Sequence, residues 1–502
     1  MTRVALLQAR TNSARLPAKV LLPLAGMPLA ALAARRAGNT GIPVIVATSA
    51  APSDDELARV SREYRLEVFR GSLDDTLGRM AAALRDWPDE TVVIRLTADN
   101  PVPDGALLDA LTEDFAARDV DYLLCGGAES GLPYGVSAEV FRLELLRAAA
   151  AQATERYDRE HVTPWIRRHG TTGVFVRYAD RGLSALRCTI DCRDDYELMA
   201  RVFGALAEPV TASLNEVLDA LRAHWPYPVV PALTARKLVL GTAQLGMPYG
   251  VANTTGMPDA GTAARLLKTA IASGVEWLDT ARAYGASEQV IGSVLNDGWQ
   301  GRARVITKLG IAADCAADAP VAQVRACVDA SVFRSAAALG QARLDVVMLH
   351  RAQHLTAWDG AVPQRLRELV TEGSIGQLGV SVQDPSELLA ALDIADLEFI
   401  QLPFNLLDWR WDACVEPLRM ARRDRPLTVH ARSTLLQGLL VSRDRSLWTA
   451  AHCDAPEAVW AWLESAATRF SHGNVAALAL TYAASMDWID SVVVGVELAE
   501  QL

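Results

Sequence analysis

No CxxC pair, no glycine-rich phosphate loop, no excess of positive charge and no apolar run long enough to span a bilayer occur in these 502 residues. Each absence excludes something. The seven cysteines, Cys125, Cys188, Cys192, Cys315, Cys327, Cys414 and Cys453, are odd in number and scattered. Cys188 and Cys192 lie near each other but lack histidines at zinc spacing, so the thiols read as reduced and structural. The formal charge of −11, from 49 Lys and Arg against 60 Asp and Glu, disfavours a nucleic-acid partner where no basic stripe is present. Without a membrane span or a charged-then-apolar leader, the expectation is a cytoplasmic protein with no membrane partner. What is present is 51% hydrophobic residues with 22% charged, enough for sizeable cores, in a chain long enough for two domains.

The second half is organised around residues 275–288, where an apolar run ends in Asp279 and a phenol, Tyr284, follows five positions later. A buried strand over 275–278 places Asp279 at its carboxyl end, and Ser287 is expected to cap a helix over 288–295. The next apolar run ends in Lys308 and a third ends in His350. Loops leaving that end of barrel strands are where such folds keep their chemistry, so four polar groups fall on one rim. Eight strand candidates follow residue 237, at 238–241, 276–279, 305–308, 346–350, 377–381, 399–402, 427–430 and 491–495, with helical patterns between them. Such strand-helix units in this length predict a closed (β/α)8 TIM barrel.

The order Asp, Tyr, Lys, His, with the spelling D-T-A-x-x-Y-G-x-S-E, resembles the aldo/keto reductases from residue 237 to the end. The resemblance implies that Lys308, held by Asp279, favours release of the Tyr284 proton to a carbonyl oxygen, and that His350 orients that oxygen. A hydride must then come from NADPH or NADH, because no side chain supplies one. Ser381, Gln401 and Asn405 resemble the residues beside the nicotinamide; Ser433, Leu435 and Gly438, within 432–438, and Gly495 resemble the cofactor phosphate loops. Val382 stands where the family usually has asparagine, so one amide contact to the nicotinamide is lost or supplied elsewhere. Glu497 stands where many relatives place a basic or hydroxyl residue near the ribose 2′-phosphate, which leaves NADP versus NAD open. The final helix usual in the family is also missing before Leu502, by truncation or as a natural ending.

The first half alternates strands and helices: strands at 4–9, 43–48, 67–69, 91–96 and 185–190, and helices at 54–64 and 75–84. That βαβ rhythm predicts a doubly wound, Rossmann-like parallel sheet with its ligand crevice at the strands' carboxyl edge. The strand at 4–9 runs into Arg10, Arg15 and Lys19, three cations in one loop that suit a triphosphate. Asp99 and Asp191 end two later strands on the same edge, a pair suited to Mg²⁺. Together with Gln8, Ser13, residues 95–101, Tyr134-Gly135 and residues 160–164, these residues resemble the cytidylyltransferases that activate acidic sugars, in the branch associated with spore-coat polysaccharide. The resemblance implies that Arg10, Ser13, Arg15 and Lys19 contact CTP and that Asp99 and Asp191 hold Mg²⁺. It also implies that residues 71–75 read the nucleotide, that Glu160 and His161 lie near the sugar, and that the protein is a homodimer through this domain.

Three prolines among residues 225–231 mark a stiff connector. The expected layout is a nucleotidyltransferase domain at 1–226, a linker at 227–236 and a barrel at 237–502. The fusion reads as a bifunctional enzyme that makes a CMP-activated acidic sugar and reduces or oxidises a sugar carbonyl. Two alternatives stay open: the reductase makes a polyol phosphate that becomes a CDP-polyol, or one domain is a degenerate binding or regulatory module.

Overall fold

The computed structural model describes residues 2–227, 237–253, 255–310, 315–470 and 472–502. Two compact units divide it, Met1–Val229 and Val230–Leu502. Of the expected linker only Tyr227 lies among the described residues.

In the first unit the strands are β1 (Arg3–Gln8), the small hairpin β2 (Pro23–Leu24) and β3 (Met27–Pro28), then β4 (Val44–Ser49), β5 (Glu67–Gly71), β6 (Val92–Thr97), β7 (Tyr122–Cys125), β8 (Ala138–Arg142) and β9 (Thr172–Val174). The main sheet runs β5-β4-β1-β6-β8-β7-β9. Every pair is parallel except those made by β8, which runs against β6 and β7, so the sheet is mixed rather than wholly parallel. Alternate residues of one strand feed two cores: Ala5 and Leu7 pack on one face, Val4 and Leu6 on the other. Burial on both faces is why these strands read as unbroken apolar runs. Residues 185–190 do not form the expected strand. That segment is extended with one bridge, Tyr134 to Arg187, because its amides serve loops instead: Cys188 N–H donates to Tyr134 O at 2.8 Å and Ile190 N–H to Asp99 O at 2.9 Å.

The second unit is a closed parallel barrel of β10 (Leu238–Gly241), β11 (Trp277–Asp279), β12 (Arg304–Lys308), β13 (Leu344–Leu349), β14 (Ile375–Ser381), β15 (Phe399–Pro403), β16 (Thr428–Arg432) and β17 (Ser491–Gly495). β17 pairs back onto β10, Leu238 with Val492 through Gly241 with Gly495. Val239, Ile306, Val346, Met348 and Phe399 fill the lumen, with Trp277 and Val493 against them. The His430 ring joins this layer, 4.6 Å from the Phe399 ring. Among the described residues no helix is long and apolar enough to cross a membrane.

His430 is 1% exposed, and its Nδ1 has no hydrogen-bond partner among the described residues. Burial, aided by the Lys308 charge, pushes its pKa from 6.5 down to about 3. The unfolded chain therefore takes up this proton at a higher pH than the folded one, so stability present above pH 6.5 is lost as pH falls from there towards 3. His430→Leu should flatten that decline: its thermal midpoint, followed by circular dichroism, drops less than that of the parent between neutrality and about pH 4.5. Equal slopes would remove His430 from the acid response.

Candidate functional sites

At the barrel's carboxyl rim Lys308 Nζ lies 2.7 and 2.8 Å from the two oxygens of Asp279 and 3.0 Å from Thr280 O. Three acceptors use all three ammonium protons. Burial resists the charge, yet Asp279 holds Lys308 above the ordinary lysine value. Gln401 Nε2 donates to Asp279 at 2.7 Å, tying β15 to β11. Lys308 Nζ sits 5.2 Å from the centroid of the Tyr284 ring, whose edge meets the His350 ring at 5.9 Å and 86°. Desolvation, then the Lys308 charge, pushes His350 down to about 4, so its imidazole is neutral at neutral pH. The four expected rim residues thus share one mouth.

The loop that delivers Tyr284 is held by residues of the same motif. Ser287 is not the helix cap expected of it. It is the first residue of the helix Ser287–Val294, and its buried hydroxyl lies 2.8 Å from Thr242 Oγ1 and accepts from Thr280 Oγ1 at 2.9 Å. Glu288, 1% exposed, accepts from Thr307 Oγ1 at 2.6 Å and pairs with Arg282. Gly285, at φ +56°, abuts Gly246: a Cβ on Gly246 would lie 2.1 Å from Tyr284 O and from Ser287 N.

The predicted cofactor residues differ in how far the structure engages them. Ser381 ends β14, buried beside Val382. Gln401 keeps Oε1 buried and without a partner, an acceptor that fits a carboxamide N–H. Asn405 turns Oδ1 onto Leu407 N at 2.9 Å, inside its own loop. Ser433 has φ +58° and Gly438 φ +90° in the turn that also contains Leu435, where the buried Thr434 Oγ1 has no partner. Gly495 lies against Gln244, whose Nε2 donates to Val496 O at 2.8 Å. These orphaned atoms and close backbone approaches fit a nicotinamide dinucleotide. After Gly495, the Glu497 and Leu498 amides are taken by Gln501 Oε1.

In the first unit Lys19 Nζ meets Asp99 at 2.7 Å, Ile190 O at 2.8 Å and Asp191 at 2.9 Å. Arg15 lies 2.9 Å from the same Asp191 oxygen, and Arg187 takes the other. Burial raises Asp191 but these cations, Lys19 foremost, hold it below the usual carboxylate value. Arg10 stands apart, 4.0 Å from Glu160, and Ser13 Oγ accepts the Leu16 amide at 3.4 Å. Asp75, in the segment expected to read the nucleotide, caps the helix Thr76–Ala83 and pairs with Arg159. His161 packs its ring 4.4 Å from Tyr157. Asp54 was not anticipated. Buried, it accepts Thr11 N at 2.8 Å and Thr11 Oγ1 at 2.7 Å, and so pins the cationic loop to the end of β4.

One unit is a barrel whose rim gathers a phenol, a buried ammonium–carboxylate pair and a neutral imidazole, groups suited to carbonyl oxidoreduction; the other is a mixed sheet whose edge gathers cations suited to a nucleotide. Comparison with known proteins makes this specific: the chain belongs to the aldo/keto reductase family, whose model matches residues 237–502, and carries in residues 4–190 a cytidylyltransferase domain. It is 32% identical over 226 residues to an uncharacterized protein of Methanocaldococcus jannaschii, covering 44% of this chain and 90% of that one. It is 31% identical over 226 residues to the spore coat polysaccharide biosynthesis protein SpsF of Bacillus subtilis, covering 43% and 92%. It is 32% identical over 173 residues to the 3-deoxy-manno-octulosonate cytidylyltransferase of Methylococcus capsulatus, covering 34% and 65%.

A Cβ at position 246 leaves the Tyr284 loop no room. Gly246→Ala should destabilise the barrel by about 1–3 kcal/mol and raise hydrogen exchange in residues 280–287; unchanged exchange there would show that the glycine contact does not hold the loop.

Proposed function

We propose that the two domains, 1–226 and 237–502, catalyse two steps in making an activated surface-glycan sugar. The first transfers a cytidylyl group from CTP to an acidic sugar, and the second reduces a sugar carbonyl. The convergence of Asp279, Tyr284, Lys308 and His350 on one mouth carries the second reading. Lys19, Arg15 and Asp191 gathered beside Asp99 carry the first.

In the barrel, a bound NADH or NADPH supplies hydride. Tyr284 gives its phenolic proton to the carbonyl oxygen, and the Lys308 ammonium beneath the ring stabilises the phenolate left behind. Neutral His350 donates an N–H to the same oxygen and does not compete as the acid. Asp279 keeps Lys308 charged and in place. The cofactor would be held on its nicotinamide side by Gln401 Oε1, Ser381 and Asn405 and along its phosphates by Ser433, Leu435, Gly438 and Gly495.

In the first domain the oxygen of the sugar attacks the α-phosphorus of CTP and pyrophosphate leaves, a reaction that positioning and charge neutralisation can drive. Lys19, Arg15 and Arg10 receive the triphosphate, with Ser13 in the same loop. Asp99 and Asp191 converge on one point, held here by Lys19, and that pair fits a hard divalent cation that completes its shell from phosphate and water. Bound Mg²⁺ supplies further charge neutralisation. Similarity to a spore coat polysaccharide biosynthesis protein and to a 3-deoxy-manno-octulosonate cytidylyltransferase supports a surface-polysaccharide acidic sugar as acceptor.

Separate substitutions test the two halves. Tyr284→Phe should lower carbonyl reduction by about 10²–10⁴-fold while pyrophosphate release from CTP continues. Asp99→Asn should abolish pyrophosphate release while reduction continues. Carbonyl reduction that survives in Tyr284→Phe would remove the phenol as acid; CTP turnover that survives in Asp99→Asn would remove that carboxylate from the site.

A further inference from the structure

Asp54 stands where a helix cap belongs and does not act as one. It precedes the helix Asp55–Glu63, yet its side chain makes no capping bond to that helix. Elsewhere Asp75, Asp104, Asp259 and Asp444 accept amides of the helices they open, the ordinary use of an aspartate in that place. The Asp54 carboxylate, wholly buried, turns back instead. Oδ1 accepts Thr11 N at 2.8 Å and Thr11 Oγ1 at 2.7 Å, while Oδ2 accepts the Ser49 hydroxyl and, at 3.3 Å, the Ser49 amide. Burial resists the charge, and the Ser49 and Thr11 donors hold it below the ordinary aspartate value.

Thr11 is the hub of the cationic loop. Its carbonyl oxygen accepts the Ser13 and Ala18 amides, each at 2.9 Å, so residues 11–18 form a ring closed at Thr11. Ala18 closes that ring at φ +54°, in the left-handed region that residues with a Cβ avoid, and keeps the shape only while its surroundings impose it. Lys19 follows directly, Arg15 lies within the ring and Arg10 precedes it. Three like charges on so short a loop oppose its closure. The anchor that opposes their repulsion comes from 43 positions away, through the Thr11 amide and hydroxyl.

We propose that Asp54 is a positioning residue for cytidylyl transfer: by holding Thr11 it presets the loop of Arg10, Arg15 and Lys19 that receives the triphosphate. The proposal rests on the cytidylyltransferase reading above. A loop already in its binding shape needs no ordering when the ligand arrives, and the share of molecules in that shape scales the apparent affinity. Ser49 occupies the other carboxylate oxygen and lies outside this path, so its loss weakens the fold without loosening Thr11.

CTP and inorganic tripolyphosphate are titrated calorimetrically, with Mg²⁺, into the full chain as the parent, Asp54→Ala, Asp54→Asn, Thr11→Val and Ser49→Ala, and each thermal midpoint is measured. Asp54→Ala should weaken both ligands about 10–100-fold and Thr11→Val about 3–10-fold. Asp54→Asn, which keeps an acceptor for Thr11 N, should recover part of the loss. Ser49→Ala should lower the thermal midpoint and leave both affinities at those of the parent. Equal affinities in the parent and Asp54→Ala, or an equal loss in Ser49→Ala, overturn the proposal. So does a loss confined to CTP, which would put the effect at the nucleoside. If Asp54→Ala does not fold, Thr11→Val against Ser49→Ala decides by the same rule. A parent that binds neither ligand ends the cytidylyltransferase reading and this proposal with it; a parent that binds both while the variants match it ends this proposal alone.

Discussion

Lys308 is 1% exposed, and its place among three oxygens is the constraint on which the barrel site depends. An ammonium so enclosed stays charged because Asp279 answers it, and removing either partner would leave an uncompensated buried charge worth roughly 3–5 kcal/mol. The pair ties β11 to β12, and Gln401 extends the tie to β15. All of the ammonium's protons are engaged, so Lys308 acts on the Tyr284 ring, 5.2 Å away, only through its field. The same charge helps keep His350 neutral.

The first unit uses a similar device with a different outcome. Lys19 also meets three oxygens, two of them from carboxylates, but the Asp99 side chain is 26% exposed and Arg15 stands open to solvent. Partners there can be exchanged. In the proposed reaction a triphosphate would compete with Asp191 for Lys19, Arg15 and Arg187, whereas the barrel's ammonium is enclosed by its three oxygens. One arrangement is fixed and acts through its field; the other is assembled beforehand and opens to its ligand.

Much of this was legible in the sequence. Unbroken apolar runs mark strands buried on both faces, and Ala5 and Val4 do point into separate cores. Three runs of the barrel end in polar residues that meet at the rim, so Asp279, Lys308 and His350 were visible as strand-end residues. What was hidden depends on partners far away in the chain. Residues 185–190 carry a strand's composition, yet their amides are claimed by Tyr134 and Asp99. The reversal of β8 has no local signature. Asp54 resembles any helix-opening aspartate until Thr11 is found on it, 43 positions earlier. Gly246 gains its meaning only from Gly285.

The pairing of β17 with β10 has a consequence for biosynthesis. The strand that seals the barrel, Ser491–Gly495, lies some 250 positions after the one it must meet. During translation the first unit, with its own two cores, can fold as soon as it emerges. The barrel stays an open sheet with two raw edges until Ser491–Gly495 has left the ribosome. Nascent chains of this protein therefore pass through a long interval in which one half is native and the other needs protection.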